Sequence, residues 1–130
     1  MTYRNLFGAV FGASFLVSAT SAVAADLAAG EKVFRKCKVC HTLEEGGKKK
    51  IGPNLFGIIG RTSGTAEGFK YSKAMKSSNI IWNNCTLDNF LKKPRKYIKG
   101  TKMMFSGLKK KSHRNALIKY LKENQTVKEE

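Results

Sequence analysis

Cys37-Lys38-Val39-Cys40-His41, CKVCH in one-letter code, decides how the rest of this 130-residue chain is read. Two cysteines and a histidine within five residues could begin a zinc site, a dithiol redox centre or the attachment site of a c-type haem. A structural zinc ion takes four ligands. CKVCH offers three, and the remaining histidine and cysteine, His113 and Cys85, lie outside any second C-x-x-C. Adjacent Cys40 and His41 also make an awkward pair for one tetrahedral ion. A dithiol centre opens a helix after a strand, whereas CKVC closes a helical stretch in a chain without convincing strand alternation. The spacing itself suits haem. Sulfurs at i and i+3 lie near one helix face and can add to two vinyl groups at one porphyrin edge, while the next residue turns under the ring toward iron.

Upstream of this motif the chain carries a different signature. Arg4 is the one charge in the first 25 residues, Leu6 to Val17 form an apolar run, and Ala22-Val23-Ala24 precede the polar Asp26. A basic start, a short apolar stretch and an A-x-A end describe a secretory signal peptide. The expected organisation is a signal peptide over residues 1–25, cleaved near Ala24/Ala25, followed by one domain over residues 26–130. An uncleaved membrane anchor is the weaker reading, because a span takes about 20 mostly apolar residues and hydroxyls and glycines interrupt this run. The expected compartment is the periplasm, and export agrees with attachment of c-type haem outside the cytoplasm.

The expected mature part retains 24 of the 25 lysines and arginines and all 9 acids. Such a small domain buries a low fraction of its surface, so a buried cofactor would add apolar area to pack against. Three cysteines exclude a full disulfide framework.

Along the mature chain, Leu27, Gly30, Val33, Phe34 and Cys37 recur at intervals of three and four, which predicts a helix from Asp26 with that residue as cap. Leu87, Phe90 and Leu91 mark a second short helix from Thr86, with Asn83 or Asn84 as N-cap and Pro94 ending it or starting a further turn. Leu117, Ile118, Tyr120 and Leu121 predict a C-terminal helix from about Lys109, and a brief turn fits Ser72 to Lys76. Seven glycines between Gly46 and Gly68 forbid regular structure there. A long irregular stretch in a small domain calls for something to wrap around. The fold class expected is all-α, with short helices and long loops around one large rigid ligand.

A haem held by His41 calls for a second axial ligand. His113 sits in a polar stretch and suits water better than iron. Met75 lies in a polar turn, and Met103 and Met104 share the loop GTKMMFSG (100–107), where successive side chains point to opposite sides. Both could equally be core methionines, the lysines also remain candidates, and the pattern of residues does not choose among them.

The mature chain resembles a class I cytochrome c of the mitochondrial and alpha-proteobacterial type. The resemblance runs from about Ala29 to Lys122 through CKVCHTLEEGGKKKIGPNLFGIIGR (37–61), GFKYSKA (68–74), IIW (80–82) and PRKYIKGTKMMFSGLKKK (94–111). It implies N- and C-terminal helices that cross, with Gly30, Phe34, Leu117 and Tyr120 at the crossing. It implies one haem c, with thioethers from Cys37 and Cys40, His41 and Met103 as iron ligands, and Pro53 orienting the histidine. It places Arg61, Tyr71 and Trp82 around the haem propionates and Phe105 near the exposed haem edge. Phe90, Lys99 and Met75 depart from the usual tyrosine, proline and asparagine at those positions.

A haem with both axial positions filled has no place to activate a substrate, so the implied function is that of a one-electron carrier and not an enzyme. The implied route runs from a quinol-oxidising cytochrome complex to a terminal cytochrome c oxidase. Twelve lysines and arginines and no acid lie between Asn89 and Lys122. The resemblance sets Lys36, Lys50, Arg95, Lys96, Lys102, Lys109 and Lys110 around the haem edge, a ring suited to acidic docking faces on those partners. A monomer is expected. A basic nucleic-acid-binding module is the rival from charge alone, opposed by the leader and by the lack of an interleaved basic–aromatic stretch. A peroxidase-like haem protein would require Met103 to leave the iron readily. Cys85 is expected to be a free surface thiol.

Overall fold

The computed structural model describes residues 20–125; most of the expected signal peptide lies outside them. Five helices follow one another in the chain: α1 (Thr20–Lys38), α2 (Lys73–Ser77), α3 (Asn84–Lys92), α4 (Pro94–Tyr97) and α5 (Lys111–Glu123). No strand occurs among the described residues, only an isolated antiparallel bridge between Thr62 and Ile81. The fold is all-α.

The frame is the crossing of α1 and α5, with α3 packed on α5. Gly30 sits at the crossing, and a Cβ there would land on the Ala116 carbonyl and on Cβ of Tyr120. Only a residue without a side chain lets the two backbones approach so closely. Around that contact Val33, Phe34, Leu117, Ile118 and Leu121 are buried, and the Phe34 and Tyr120 rings meet with centroids 5.5 Å apart. The exposed Lys119–Asp26 pair at 2.9 Å adds little to this apolar clamp.

The helix borders depart most from the sequence expectation at α1, while α3 and α5 start within two residues of it, at Asn84 and Lys111. Asp26 does not cap α1, which is already helical at Thr20, the first described residue, and runs through the expected cleavage position. Alanine is the best helix former, and Ala22, Ala24 and Ala25 carry the helix backward past Asp26. Elsewhere local chemistry sets the ends. Asn83 caps α3 in a reciprocal box with Thr86, and Ser72 caps α2 by accepting from the Met75 N–H at 3.1 Å. Pro94 opens the separate turn α4 instead of breaking α3 from within.

Between α1 and α2 the glycine-rich stretch is loop, held by specific hydrogen bonds. The Asn54 amide donates to the carbonyls of Glu44 and Gly47, both at 2.9 Å, and its oxygen accepts from the Phe56 N–H at 2.8 Å. Farther along, Gly60 N–H bonds the Trp82 carbonyl and Trp82 N–H returns to that of Arg61, which ties the loop to the strand-like segment before α3. Gln125 closes the far side by accepting from the Ile59 N–H at 2.6 Å.

Candidate functional site

These loops and helices surround a cavity of about 350 Å³. Its walls are apolar: Phe34, Leu55, Ile58, Trp82, Leu91 and Leu117 all face it. Cys37, Cys40, His41, Arg61, Tyr71, Trp82 and Met103, drawn from four separate stretches of sequence, all line this one space.

CKVCH reaches the cavity because α1 ends inside it. The N–H groups of Cys40 and His41 both bond the Cys37 carbonyl at 2.9 Å, so the last turn tightens and swings His41 inward, where it is buried. Its Nδ1 lies 2.7 Å from the Pro53 carbonyl. A carbonyl can only accept, so the proton sits on Nδ1 and the Nε2 lone pair is left free on the other side of the ring. Gly52 makes room, since a Cβ there would collide with the imidazole at Cε1 and Nδ1. Burial lowers the His41 pKa; the hydrogen bond to Pro53 opposes that, and the Arg61 and Lys50 charges reinforce it. Neutral imidazole is the form that binds metal.

The cysteine environment argues against a reactive dithiol centre. Burial, with Cys40 alongside and despite Lys36, pushes the Cys37 thiol up to about 11, so it stays protonated at neutral pH. Reactive dithiols are shifted the other way. Among the described residues no three His, Cys, Asp or Glu side chains are placed to share a metal ion.

Of the candidates for a second ligand, His113 is exposed and away from the cavity, and Met104 stands 83% exposed at its mouth. Met103 and Met75 both turn in, Met103 half-buried and Met75 buried. The Met103 loop and the segment leading into α2 touch, with Lys102 donating to the Lys70 carbonyl at 3.1 Å and the Cβ position of Gly100 3.1 Å from that of Ala74.

Polar groups collect at one rim. Arg61 donates to the carbonyls of Asn54 at 3.0 Å and Phe56 at 3.2 Å. The Tyr71 oxygen accepts from the Ala66 N–H at 3.2 Å, which leaves its own proton available. Burial raises the Tyr71 pKa, against the Ala66 bond and the Arg61 charge, so the phenol remains a donor. An apolar cavity lined by one imidazole, two methionine thioethers, two thiols and the donors Arg61 and Tyr71 fits a haem carrying two carboxylates.

Sequence reasoning passed over Asn54, which organises the loop beneath the histidine, and the pair Asp88–Arg114, which ties α3 to α5. Neither belongs to a motif. The one signal was an isolated acid at the head of a long basic run.

The sequence profile of the cytochrome c family matches residues 27–125. The chain is 54% identical to a cytochrome c of Chlamydomonas reinhardtii over 103 residues, covering 78% of this chain and 92% of that protein. It is 50% identical to a cytochrome c of Nigella damascena over 104 residues, covering 79% and 94%, and 49% identical to one of Gibberella zeae over 100 residues, covering 76% and 94%. With these likenesses, a cavity built for a large flat cofactor and the CKVCH turn at its edge, the chain belongs to the cytochrome c family as a class I member, an electron carrier with covalently attached haem c and iron and not an enzyme.

Proposed function

We propose that this carrier takes single electrons from a quinol-oxidising cytochrome complex to a terminal cytochrome c oxidase in the periplasm, with His41 and Met103 as the iron ligands and Cys37 and Cys40 as the thioether residues. The observation that carries the reading is His41 held by Pro53 at 2.7 Å in a cavity that Met103 also lines. When bound, haem supplies the one-electron ferric/ferrous couple, and methionine ligation favours the ferrous state. The chain's own residues do the rest. Pro53 fixes the imidazole tautomer, Trp82, Leu91 and Phe90 keep water from the ring, and Arg61 and Tyr71 offer donors to propionates.

Docking falls to the lysines. Lys36 and Lys102 border the cavity mouth, and Lys50, Arg95, Lys96, Lys109 and Lys110 are exposed as well. A ring of one sign steers association and weakens as salt rises. No helix among the described residues is long and apolar enough to cross a membrane. Cleavage near Ala24/Ala25 would remove the first residues of α1; Ser21 to Ala25 are exposed, so the core would stay covered.

The test is expression in cells that export the chain and attach haem, followed by acid–acetone extraction. Colour that stays with the protein, and leaves it when Cys37 and Cys40 are both replaced by alanine, is the expected result. Colour that extracts from the unaltered protein would end the reading.

A further inference from the structure

The loop that bears Met103 runs from Ile98 to Lys110 without a helix, and Met104 beside the ligand is exposed. Something has to hold it. At its start the hold is lighter: Thr101 N–H to the Ile98 carbonyl at 3.1 Å, Met103 N–H to the Thr101 hydroxyl at 3.3 Å and the exposed Lys102 ammonium to the Lys70 carbonyl at 3.1 Å. At its end the hold is strong. Leu108 N–H bonds the Leu91 carbonyl at 2.8 Å, and Gly107, at φ 102°, has no room for a Cβ against the Lys92 carbonyl.

Arg114 completes this anchor. It sits in the first turns of α5 and is 4% exposed. Its Nη1 donates to the carbonyls of Leu108 at 2.9 Å and Lys109 at 2.8 Å, near the end of the Met103 loop. Its Nε donates to Asp88 at 2.7 Å and its Nη2 reaches the other carboxylate oxygen at 3.4 Å. One planar guanidinium thus joins α5, α3 and the loop, a geometry a lysine cannot reproduce. Asp88 is the last acid before the acid-free run of lysines and arginines, and its carboxylate meets the buried charge.

We propose that Arg114, locked by Asp88, is a positioning residue for the distal ligand: it closes the base of the Met103 loop and so sets how often Met103 leaves the iron. The inference rests on Met103 being that ligand. Arg114 is buried and Asp88 partly so, and removing the carboxylate leaves a buried guanidinium unpaired and loosens what it holds. With the latch weakened, the loop would open at its base while the crossing of α1 and α5 stayed intact, because that crossing rests on Gly30 and on the Phe34–Tyr120 ring contact.

The experiment follows imidazole binding to the ferric holoprotein, which needs Met103 to leave first, through loss of the sulfur-to-iron absorption band. Asp88→Asn and Arg114→Lys are compared with the unaltered protein, and global stability is measured by denaturant unfolding. Val33→Ala, at the α1 side of the core and outside the cavity lining, supplies a global destabilisation that spares the latch. We expect both latch variants to speed imidazole binding by roughly tenfold, Asp88→Glu to stay close to the unaltered rate, and Val33→Ala to leave it unchanged. Unchanged rates in both latch variants, or an equal acceleration in Val33→Ala, would overturn the latch. A sulfur-to-iron band missing from the unaltered protein would instead remove Met103 as ligand, and the inference with it.

Discussion

The His41 imidazole is gripped from two sides by adjacent residues: Pro53 accepts from its Nδ1–H at 2.7 Å, and Gly52 lies flat against the ring where no Cβ would fit. One dipeptide therefore fixes both the tautomer and the tilt of the ring that faces the cavity. Gly52→Ala should push the imidazole off its position, at a cost of about 1–3 kcal/mol for the overpacked contact. The check is denaturant unfolding of the holoprotein together with its spin state. A variant with unaltered stability and spectrum would show that the ring has slack the structure does not display.

Leu117 is the most deeply buried large side chain of the described core, 1% exposed between the helix crossing and the cavity. Leu117→Ala should cost about 2–5 kcal/mol, because neighbours on two rigid helices cannot collapse into the space. Equilibrium unfolding measures it, and a loss well under that range would mean that α1 and α5 can slide.

Met75 lines the same cavity as Met103 and is buried. An apolar side chain there disfavours the more highly charged ferric state. Met75→Asn, which brings polarity and room for water, should lower the midpoint potential in a redox titration. A potential that rises or stays put would contradict the view of this wall as a dry lining.

Lys102 is exposed at the cavity mouth. Lys102→Glu should slow electron delivery to an acidic redox partner at low salt and flatten the salt dependence, since steering acts on the association rate. Stopped-flow rates over a salt series decide the matter; parallel curves for the two proteins would place docking elsewhere. The same substitution removes the bond to the Lys70 carbonyl, so the spectrum is recorded alongside.

Much of this was legible in the residues. CKVCH suited haem, and the family resemblance over residues 29–122 settled it, while seven glycines in one stretch pointed to a loop wrapped around a ligand. The helix periodicities placed the buried faces of α1, α3 and α5. Other features depend on the fold and were not readable. Asp26 looked like a cap, yet the preceding alanines propagate the helix and leave it a surface ion pair with Lys119. Met75, Met103 and Met104 were equivalent as letters; burial separates Met104 from the other two. Arg114 and Asp88 stand in different helices, and no local pattern announces a pair that forms only when α3 meets α5.

The central claim is that His41 and Met103 face one iron. The most direct measurement is the optical spectrum of the oxidised holoprotein beside those of Met103→Ala and Met75→Ala. The account predicts a low-spin spectrum with a long-wavelength sulfur-to-iron band that persists in Met75→Ala and is lost in Met103→Ala. A band that survives in Met103→Ala, or is missing from the unaltered protein, would contradict it.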